Sequence, residues 1–214
     1  KLAVAIGDWV EANDLNGFGF QCWSSIQYTL GIMPCSALSM FNNRFVPGAC
    51  EVDITNLVGM YLLQQASLMP SAVADWNNNY GDDPDKAVLF HCSNFPAAML
   101  EQPKMDYQTI ITADEAAFGC ISGHLKPGPF TYAGFTTDDT CGNLVGYLGE
   151  GRITEDRLDT FGGVGVVEIP GLEELLGFIC RNGFEHHVAI NLSTTADAVY
   201  EALTNYKGWD VYYH

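Results

Sequence analysis

The chain of 214 residues carries 26 acidic against 9 basic side chains, a formal net charge of -17 at pH 7. Nucleic-acid binding needs clustered basic groups that replace phosphate counterions, so this composition excludes that class of protein. A hydrophobic fraction of 48% suffices for a core and excludes disorder. Glu168, Glu173 and Glu174 interrupt the most apolar stretch before it reaches the ~20 residues of a membrane span. We therefore expect a soluble protein.

The cysteine content indicates the cellular compartment. The seven cysteines are an odd set without a C-x-x-C pair, which indicates neither a disulfide framework nor a zinc knuckle. A reducing cytoplasm fits this pattern best. The chain opens at Lys1 without a signal peptide, and only 16% of its residues are charged. A piece of a longer chain, or a subunit buried in an oligomer, would explain such a low charged fraction.

The first 70 residues mix helical and extended patterns. Leu2, Ile6 and Val10 recur at helical spacing, and the glycine-aromatic stretch Gly17–Trp23 favours an extended segment. A long helix is predicted over Asp53–Leu68, because apolar residues recur on adjoining turns and a proline follows. These elements predict an α/β segment.

From residue 71 onward, short β-like runs alternate with glycine, proline, asparagine and aspartate. The runs are Ala72–Trp76, Ala87–Cys92, Gln108–Thr112, Gly119–Leu125, Pro129–Phe135, Asn143–Leu148 and Val164–Ile169. Two helices are predicted after Pro170 and Thr194, and a closing strand over Trp209–Tyr213. We therefore predict an α/β segment, residues 1–70, followed by a mainly antiparallel β-barrel domain with flanking helices, residues 71–214, α+β overall.

Two carboxylates are predicted to share one edge of the sheet. Glu51 precedes the helix that begins near Asp53, and Asp75 lies near the end of the strand that follows this helix. In a helix-then-strand unit the helix begins and the strand ends at the same edge, where open α/β folds bind ligands. The alternative is that Glu51 merely complements the helix N-terminus and that Asp75 caps a turn.

The histidines leave their roles open. His91 ends an apolar run and is either a hydrogen-bonded core residue or a ligand. If residues 77–86 simply turn the chain back, it lies roughly 13 Å from the predicted edge. His186 and His187 begin an extended run, where successive side chains point to opposite faces, so one of the two can readily enter a given site. His124 and His214 are predicted to be structural.

Convergence of these groups would form a particular kind of metal site. Two carboxylates with one or two imidazoles and no thiolate suit Mn²⁺, Mg²⁺ or Co²⁺ better than a structural zinc. Such a site leaves coordination positions open for paired oxygens of a substrate. The sequence therefore indicates a divalent-metal site, most favourably for Mn²⁺.

Five segments, in order, carry a family resemblance. They are ACEVD at 49–53, DWNN at 75–78, LFHCSNFP at 89–96, GFEHHV at 183–188 and GWDVYY at 208–213. GHLKPGP at 123–129 and GEG at 149–151 fit between them. From about residue 14 onward the chain resembles the C-terminal half of the L-fucose/L-arabinose isomerase superfamily, in particular its fucose-isomerase-like members.

This resemblance implies a set of metal ligands. The family's glutamate, acidic and late histidine ligands correspond to Glu51, Asp75 and His187. Asp75 agrees with the fucose branch, since the arabinose branch has a glutamate there. The arabinose branch adds a histidine ligand, and His91 stands at that position. Glu51 and Asp75 would also be the catalytic acid/base pair.

The resemblance also implies an activity and partners. Metal-dependent aldose–ketose isomerisation moves a proton between C1 and C2 of an open-chain sugar through an enediol. Asn94 and Trp76 are candidates for contacting sugar hydroxyls. The family implies absent N-terminal domains and a homotrimer or homohexamer. L-fucose, D-arabinose, L-arabinose and a modified hexose all stay open as substrates. The alternatives are a non-catalytic sugar-binding or assembly domain and a metal-dependent hydrolase.

Overall fold

The computed structural model describes residues 1–108, 117–137 and 140–214. The α-helices in these ranges are α1 (Leu2–Ala12), α2 (Ser25–Leu30), α3 (Cys35–Asn42), α4 (Ile54–Ser67), α5 (Leu172–Arg181) and α6 (Ala196–Glu201), which continues as a π-helical turn over Ala202–Tyr206. A 3-10 turn covers Ala97–Met99. None of the helices in the described ranges has the length and apolar character needed to cross a membrane.

The strands fall into two sheets. They are β1 (Phe18–Phe20), β2 (Gly48–Cys50), β3 (Ser71–Asn79), β4 (Lys86–His91), β5 (Leu100–Gln108), β6 (Ala117–Leu125), β7 (Gly128–Thr137), β8 (Leu144–Ile153), β9 (Gly163–Glu168), β10 (His187–Asn191) and β11 (Asp210–Tyr213). β1 and β2 form a small parallel pair, and the others form one sheet in the order β11-β8-β7-β10-β3-β4-β9-β6-β5. Of the predicted run 108–112, residues 109–112 lie outside the described residues.

The large sheet is mixed. Its strands pair antiparallel except for the parallel pairs β11–β8 and β6–β9. β8 pairs with β7 and also with β9, through Arg152–Glu168 and Ile153–Val167. The α+β class is therefore confirmed, with a large sheet and flanking helices. The closed barrel and the division at residue 70 stay predictions.

Helix α4 lies within one residue of its predicted bounds at each end. Asp53 caps its N-terminus by accepting a hydrogen bond from the Asn56 backbone N–H, and Leu68 ends it in the left-handed conformation. The helix packs against β7 and β10 through Gly59, where an added Cβ would lie 2.9 Å from the Ala189 Cβ atom. This close approach places the N-terminus of α4 over the start of β10.

The two faces of β3 and β10 contact different clusters because side chains alternate along a strand. We call the face that packs against α4 the helix face; its residues are Val73, Asp75, His187 and Ala189, and the apolar ones pack with Met60 and Leu63 of α4. We call the opposite face the aromatic face; it holds Ala72, Ala74, Val188 and Ile190, packed with Trp76, Phe130, Tyr132 and Tyr147. The predicted site residues Asp75 and His187 thus lie beneath α4.

Candidate metal centre

The pairing of β10 with β3 brings two predicted ligands side by side. His187, the first residue of β10, pairs with Asp75 of β3, and Asp75 pairs on its other side with Phe90 of β4. His91 directly follows Phe90 and so lies beside the same point of the sheet. Residues 77–86 do not simply turn the chain back, because β3 continues beyond Asp75 to Asn79, so the condition under which His91 would lie roughly 13 Å away does not hold.

Glu51 reaches the site from the turn between β2 and α4. Its φ is +60° and that of Val52 is +57°, so two consecutive non-glycine residues adopt the left-handed conformation. This conformation is unfavourable for a β-branched residue, and such strain concentrates at functional sites. The turn aims the Glu51 carboxylate at the start of β10.

His187 is the centre of the cluster. Its Nε2 atom lies 3.3 Å from Asp75 Oδ1 and 3.8 Å from Glu51 Oε2. Glu51, His91 and His187 offer ligand atoms within 4.8 Å of one another, and Asp75, His186 and His187 form a second such group. The structure therefore brings together all four residues that the sequence suggests as ligands, and their roles stay predictions.

The two adjacent histidines differ in burial. The side chain of His187 is 7% exposed and that of His186 is 68% exposed, although His186 Nε2 also lies 3.5 Å from Asp75 Oδ1. His124 and His214, which the sequence suggests are structural, each place a ring nitrogen within hydrogen-bonding distance of a backbone carbonyl, of Leu158 and Pro170 respectively. Burial thus favours His187 over His186 as a ligand.

Asp53 is a site residue that the sequence reasoning missed. Its Oδ2 atom lies 2.8 Å from His187 Nδ1. Burial alone would raise the pKa of Asp53, but hydrogen bonds from His187 and Asn56 outweigh it and lower that pKa below its usual value. Both oxygens of Asp53 face donors, from Thr55, Asn56 and His187, so Asp53 accepts a hydrogen bond from the His187 ring. The signal available in the sequence was an aspartate at a helix N-cap two positions after Glu51.

His91 is oriented differently from His187. Its Nδ1 atom accepts the Cys92 backbone N–H at 3.0 Å, so the proton of the neutral ring lies on Nε2. The Nε2 atom is buried and has no hydrogen-bond partner among the described residues. The ring centroids of His91 and His187 are 5.6 Å apart. To act as a ligand through Nε2, His91 would have to move its ring proton.

The unpaired atoms of the cluster fit a divalent cation. Asp75 Oδ1 and His187 Nε2 are both buried without a hydrogen bond within the described part of the chain. Burying such atoms is costly unless they are paired or coordinate a metal. Carboxylate oxygens with imidazole nitrogen form a donor set that suits Mn²⁺ or a similar cation. Glu51, Asp75 and His187 would hold it.

Four buried cysteines lie next to this cluster. Cys50 and Cys92 adjoin predicted ligands in the chain, and hydrogen bonds link Cys22 to Cys50, Cys50 to Cys35, and Cys35 to Cys92. The bond to Cys50 and burial raise the pKa of Cys22. The bond from Cys35 lowers the pKa of Cys92, but burial together with the neighbouring Cys50, Cys22 and Glu51 outweighs it and raises that pKa above its usual value. We expect protonated thiols there at neutral pH, so the metal donor set stays oxygen and imidazole.

The two residues predicted to contact sugar, Trp76 and Asn94, differ in how their polar side-chain atoms are paired. The Trp76 indole N–H donates to the Tyr147 hydroxyl at 2.9 Å, on the aromatic face. Asn94 is fully buried, and its backbone carbonyl accepts a hydrogen bond from the Asn42 side chain. Trp76 thus takes part in aromatic packing, whereas the side-chain oxygen and nitrogen of Asn94 are buried without a hydrogen-bond partner among the described residues. Contact of either residue with sugar stays a prediction.

Comparisons with known proteins agree with the resemblance. The family model described as L-fucose isomerase, C-terminal domain, matches residues 89–214, more than half of the chain. A sulfoquinovose isomerase of Clostridium sp. (strain MSTE9) is 31% identical over 75 residues, which cover 35% of this chain and 17% of that protein. A sulfoquinovose isomerase of Priestia aryabhattai is 24% identical over 92 residues, which cover 43% of this chain and 21% of that protein.

The aligned part of the chain thus spans about a fifth of the length of each of these relatives. The match of the family model contains His91 and His187, whereas Glu51, Asp53 and Asp75 precede it. Because the family model covers more than half of the chain, the chain belongs to the family of the L-fucose isomerase C-terminal domain.

Proposed function

We propose that this chain forms the metal-binding part of an aldose–ketose sugar isomerase. The observation that carries the proposal is the meeting of Glu51, Asp75 and His187 at the N-terminus of α4. Asp75 Oδ1 and His187 Nε2 lie 3.3 Å apart there, and neither has a hydrogen-bond partner within the ranges that the structure describes. Membership of the L-fucose isomerase family supports a sugar as the substrate. The names of the similar proteins support an isomerisation.

The proposed cofactor is Mn²⁺, with Mg²⁺ or Co²⁺ as alternatives. Glu51, Asp75 and His187 would hold the ion, and His91 is the fourth predicted ligand. When bound, the ion supplies a Lewis acid that stabilises negative charge on the two sugar oxygens, O1 and O2. The residues themselves fix the position of the sugar's reacting end and move its proton.

The proton transfer falls to the carboxylates. One carboxylate takes the proton from one sugar carbon and returns it to the neighbouring carbon through an enediol, while the other moves the hydroxyl proton between O1 and O2. The Glu51 side chain is 27% exposed and that of Asp75 is 17% exposed, so both are more accessible than the His187 side chain, which is 7% exposed. We propose Glu51 and Asp75 as the acid/base pair.

The finer features of the protein belong to the same proposal. The six strands β8, β7, β10, β3, β4 and β9 each pair with two of the others, which supports a closed barrel over residues 71–214 after an α/β segment over residues 1–70.

We propose a cytoplasmic homotrimer or homohexamer whose further domains complete the sugar pocket. L-fucose, D-arabinose, L-arabinose and sulfoquinovose are the substrates to test.

A paired titration and activity assay tests this function. We expect the intact protein to bind Mn²⁺ in calorimetry and to convert one of these sugars between aldose and ketose. Glu51→Gln and Asp75→Asn should lose on the order of 10²–10⁴-fold in turnover, and Asp75→Asn should also weaken Mn²⁺ binding. Glu168→Gln, at an exposed residue of β9, is the matched control and should change neither.

The result that contradicts the proposal is full activity in Glu51→Gln. Sugar binding that a chelator does not change would instead support a non-catalytic binding domain. Release of a fragment from the substrate, without ketose formation, would support a metal-dependent hydrolase.

A further inference from the structure

The oxygens of Asp53 are already occupied within the protein. Its Oδ1 atom accepts the Asn56 backbone N–H at 2.9 Å and the Thr55 hydroxyl at 3.0 Å. Its Oδ2 atom accepts the Asn56 side-chain amide at 2.7 Å and His187 Nδ1–H at 2.8 Å. Four donors hold this carboxylate in one orientation. Asp53 is therefore fixed by the protein, whereas Asp75 Oδ1 is left without a hydrogen bond among the described residues.

The bond from His187 decides which ring nitrogen carries the proton. An ionised carboxylate only accepts hydrogen bonds, so the neutral His187 ring must place its proton on Nδ1. Its Nε2 atom then carries a lone pair, and this is the atom that faces Asp75 Oδ1 and Glu51 Oε2. Metal-binding histidines take this arrangement when their other nitrogen donates to a carboxylate.

His91 provides the internal contrast. Its Nδ1 atom contacts the Cys92 backbone N–H and not a carboxylate. The proton of its neutral ring therefore lies on Nε2, the opposite tautomer to that of His187. The two imidazoles are neighbours in one cluster, and the presence of Asp53 distinguishes them.

We propose that Asp53 is a positioning residue that fixes the tautomer and orientation of His187, so that Nε2 is available to a divalent cation. This inference rests on the proposed function, because the cation is the one assigned to that site. Asp53 also caps α4, and the two roles are separable. A serine at an N-cap accepts from the same backbone N–H groups but is too short to reach His187.

The first test compares three variants of the intact protein in calorimetric titration with Mn²⁺. Asp53→Ser keeps the cap and removes the bond to His187. Asp53→Asn keeps the cap through its carbonyl oxygen and turns an NH₂ group towards His187 Nδ1. We expect both to bind Mn²⁺ about 10–100-fold more weakly. Thr55→Val, the matched control, removes a donor to Oδ1 only and should stay within about twofold. If Asp53→Ser and Asp53→Asn bind Mn²⁺ as tightly as Thr55→Val and the wild type do, the proposal is overturned.

The second measurement does not depend on metal or activity. Nitrogen-15 chemical shifts of the metal-free protein report which nitrogen of His187 is protonated. We expect protonated Nδ1 in the wild type and protonated Nε2 in Asp53→Asn, with the same midpoint of urea unfolding. A wild-type His187 protonated on Nε2 overturns the proposal. Wild type that binds no Mn²⁺ contradicts the proposed function, and the tautomer then still decides the role of Asp53.

Discussion

The two faces of β3 and β10 differ in polarity: the helix face includes a polar pair of residues, and the aromatic face is apolar. On the helix face Asp75 lies beside His187. The next pair in the antiparallel register, Ala74 with Val188, lies in the apolar core of the aromatic face. A slip of one residue would exchange the faces. Burial of apolar side chains on both faces fixes the register, and this register places the polar pair beneath α4.

The largest effect is expected where the helix face is changed at its centre. His187→Gln removes both the Nε2 atom that faces the two carboxylates and the Nδ1–H that Asp53 accepts. We expect Mn²⁺ affinity to fall by more than the ~100-fold that losing an outer partner of a ligand costs. Calorimetry measures this, and circular dichroism checks that the variant is folded. Affinity within tenfold of the wild type would contradict the central place of His187.

A change in the packing of α4 should act on the whole helix face. An alanine Cβ at Gly59 would lie 2.9 Å from the Ala189 Cβ atom, so Gly59→Ala should destabilise the protein by about 1–3 kcal/mol. The matched control is Gly7→Ala in α1, where the nearest atom would be 3.7 Å away. It should stabilise by roughly 0.5–1 kcal/mol, as helix propensity predicts. Urea unfolding of both variants decides, and equal signs would refute this account.

The aromatic face should matter for stability and not for metal binding. Trp76→Phe leaves the buried Tyr147 hydroxyl without its donor, which should cost about 1–3 kcal/mol. The double variant Trp76→Phe/Tyr147→Phe should recover most of this loss, because neither polar partner remains. Mn²⁺ affinity should stay within about twofold. A raised KM for sugar with unchanged stability would instead show that Trp76 contacts the substrate.

Alkaline pH should destabilise the protein through a buried tyrosine of the aromatic face. Burial raises the pKa of Tyr132, whose hydroxyl has no hydrogen-bond partner in the described ranges. In the unfolded chain Tyr132 ionises at about pH 10, whereas in the folded protein it stays neutral to higher pH. The stability of the folded protein therefore does not depend on this ionisation below that pH, and it falls as the pH rises from there towards the folded pKa. Tyr132→Phe should stabilise the protein at pH 7 by ~1 kcal/mol and flatten its stability above pH 10. Parallel pH profiles of the two proteins would disprove this.

The smallest effect is expected at the exposed histidine. His186 is 68% exposed and lies 3.5 Å from Asp75 Oδ1, so its interaction is screened by solvent. His186→Ala should change Mn²⁺ affinity by less than about twofold. A loss as large as that of His187→Gln would mean that the second group, with Asp75 and His186, holds the ion.

The sequence predicts those elements whose local signals are strong. Helix α4 follows from its periodic apolar residues and the proline after it, and β3, β4 and β9 follow from short apolar runs between turn residues. Strand β5 was missed before residue 108, because Pro103 and alternating charged residues resemble a loop. It is the last strand of the sheet order, and such residues are typical of edge strands.

The site could be predicted in part. The rule that a helix begins and the next strand ends at one edge of the sheet places Glu51 near Asp75, and both lie within 4 Å of His187. Strand alternation alone could not choose between His186 and His187, because the choice depends on which face of β10 meets α4. The family resemblance selected His187. Asp53 was missed because a helix cap already explains an aspartate at that position.

The exposed turn at residues 81–85 divides the donor atoms by chemistry. Every carboxylate of the cluster precedes it in the chain, and every imidazole follows it. A recombinant made by joining two homologous parents in this turn would therefore inherit its acids from one and its imidazoles from the other. The Mn²⁺ affinity of such a chimera would then report how independently the carboxylate and imidazole halves of the donor set can vary.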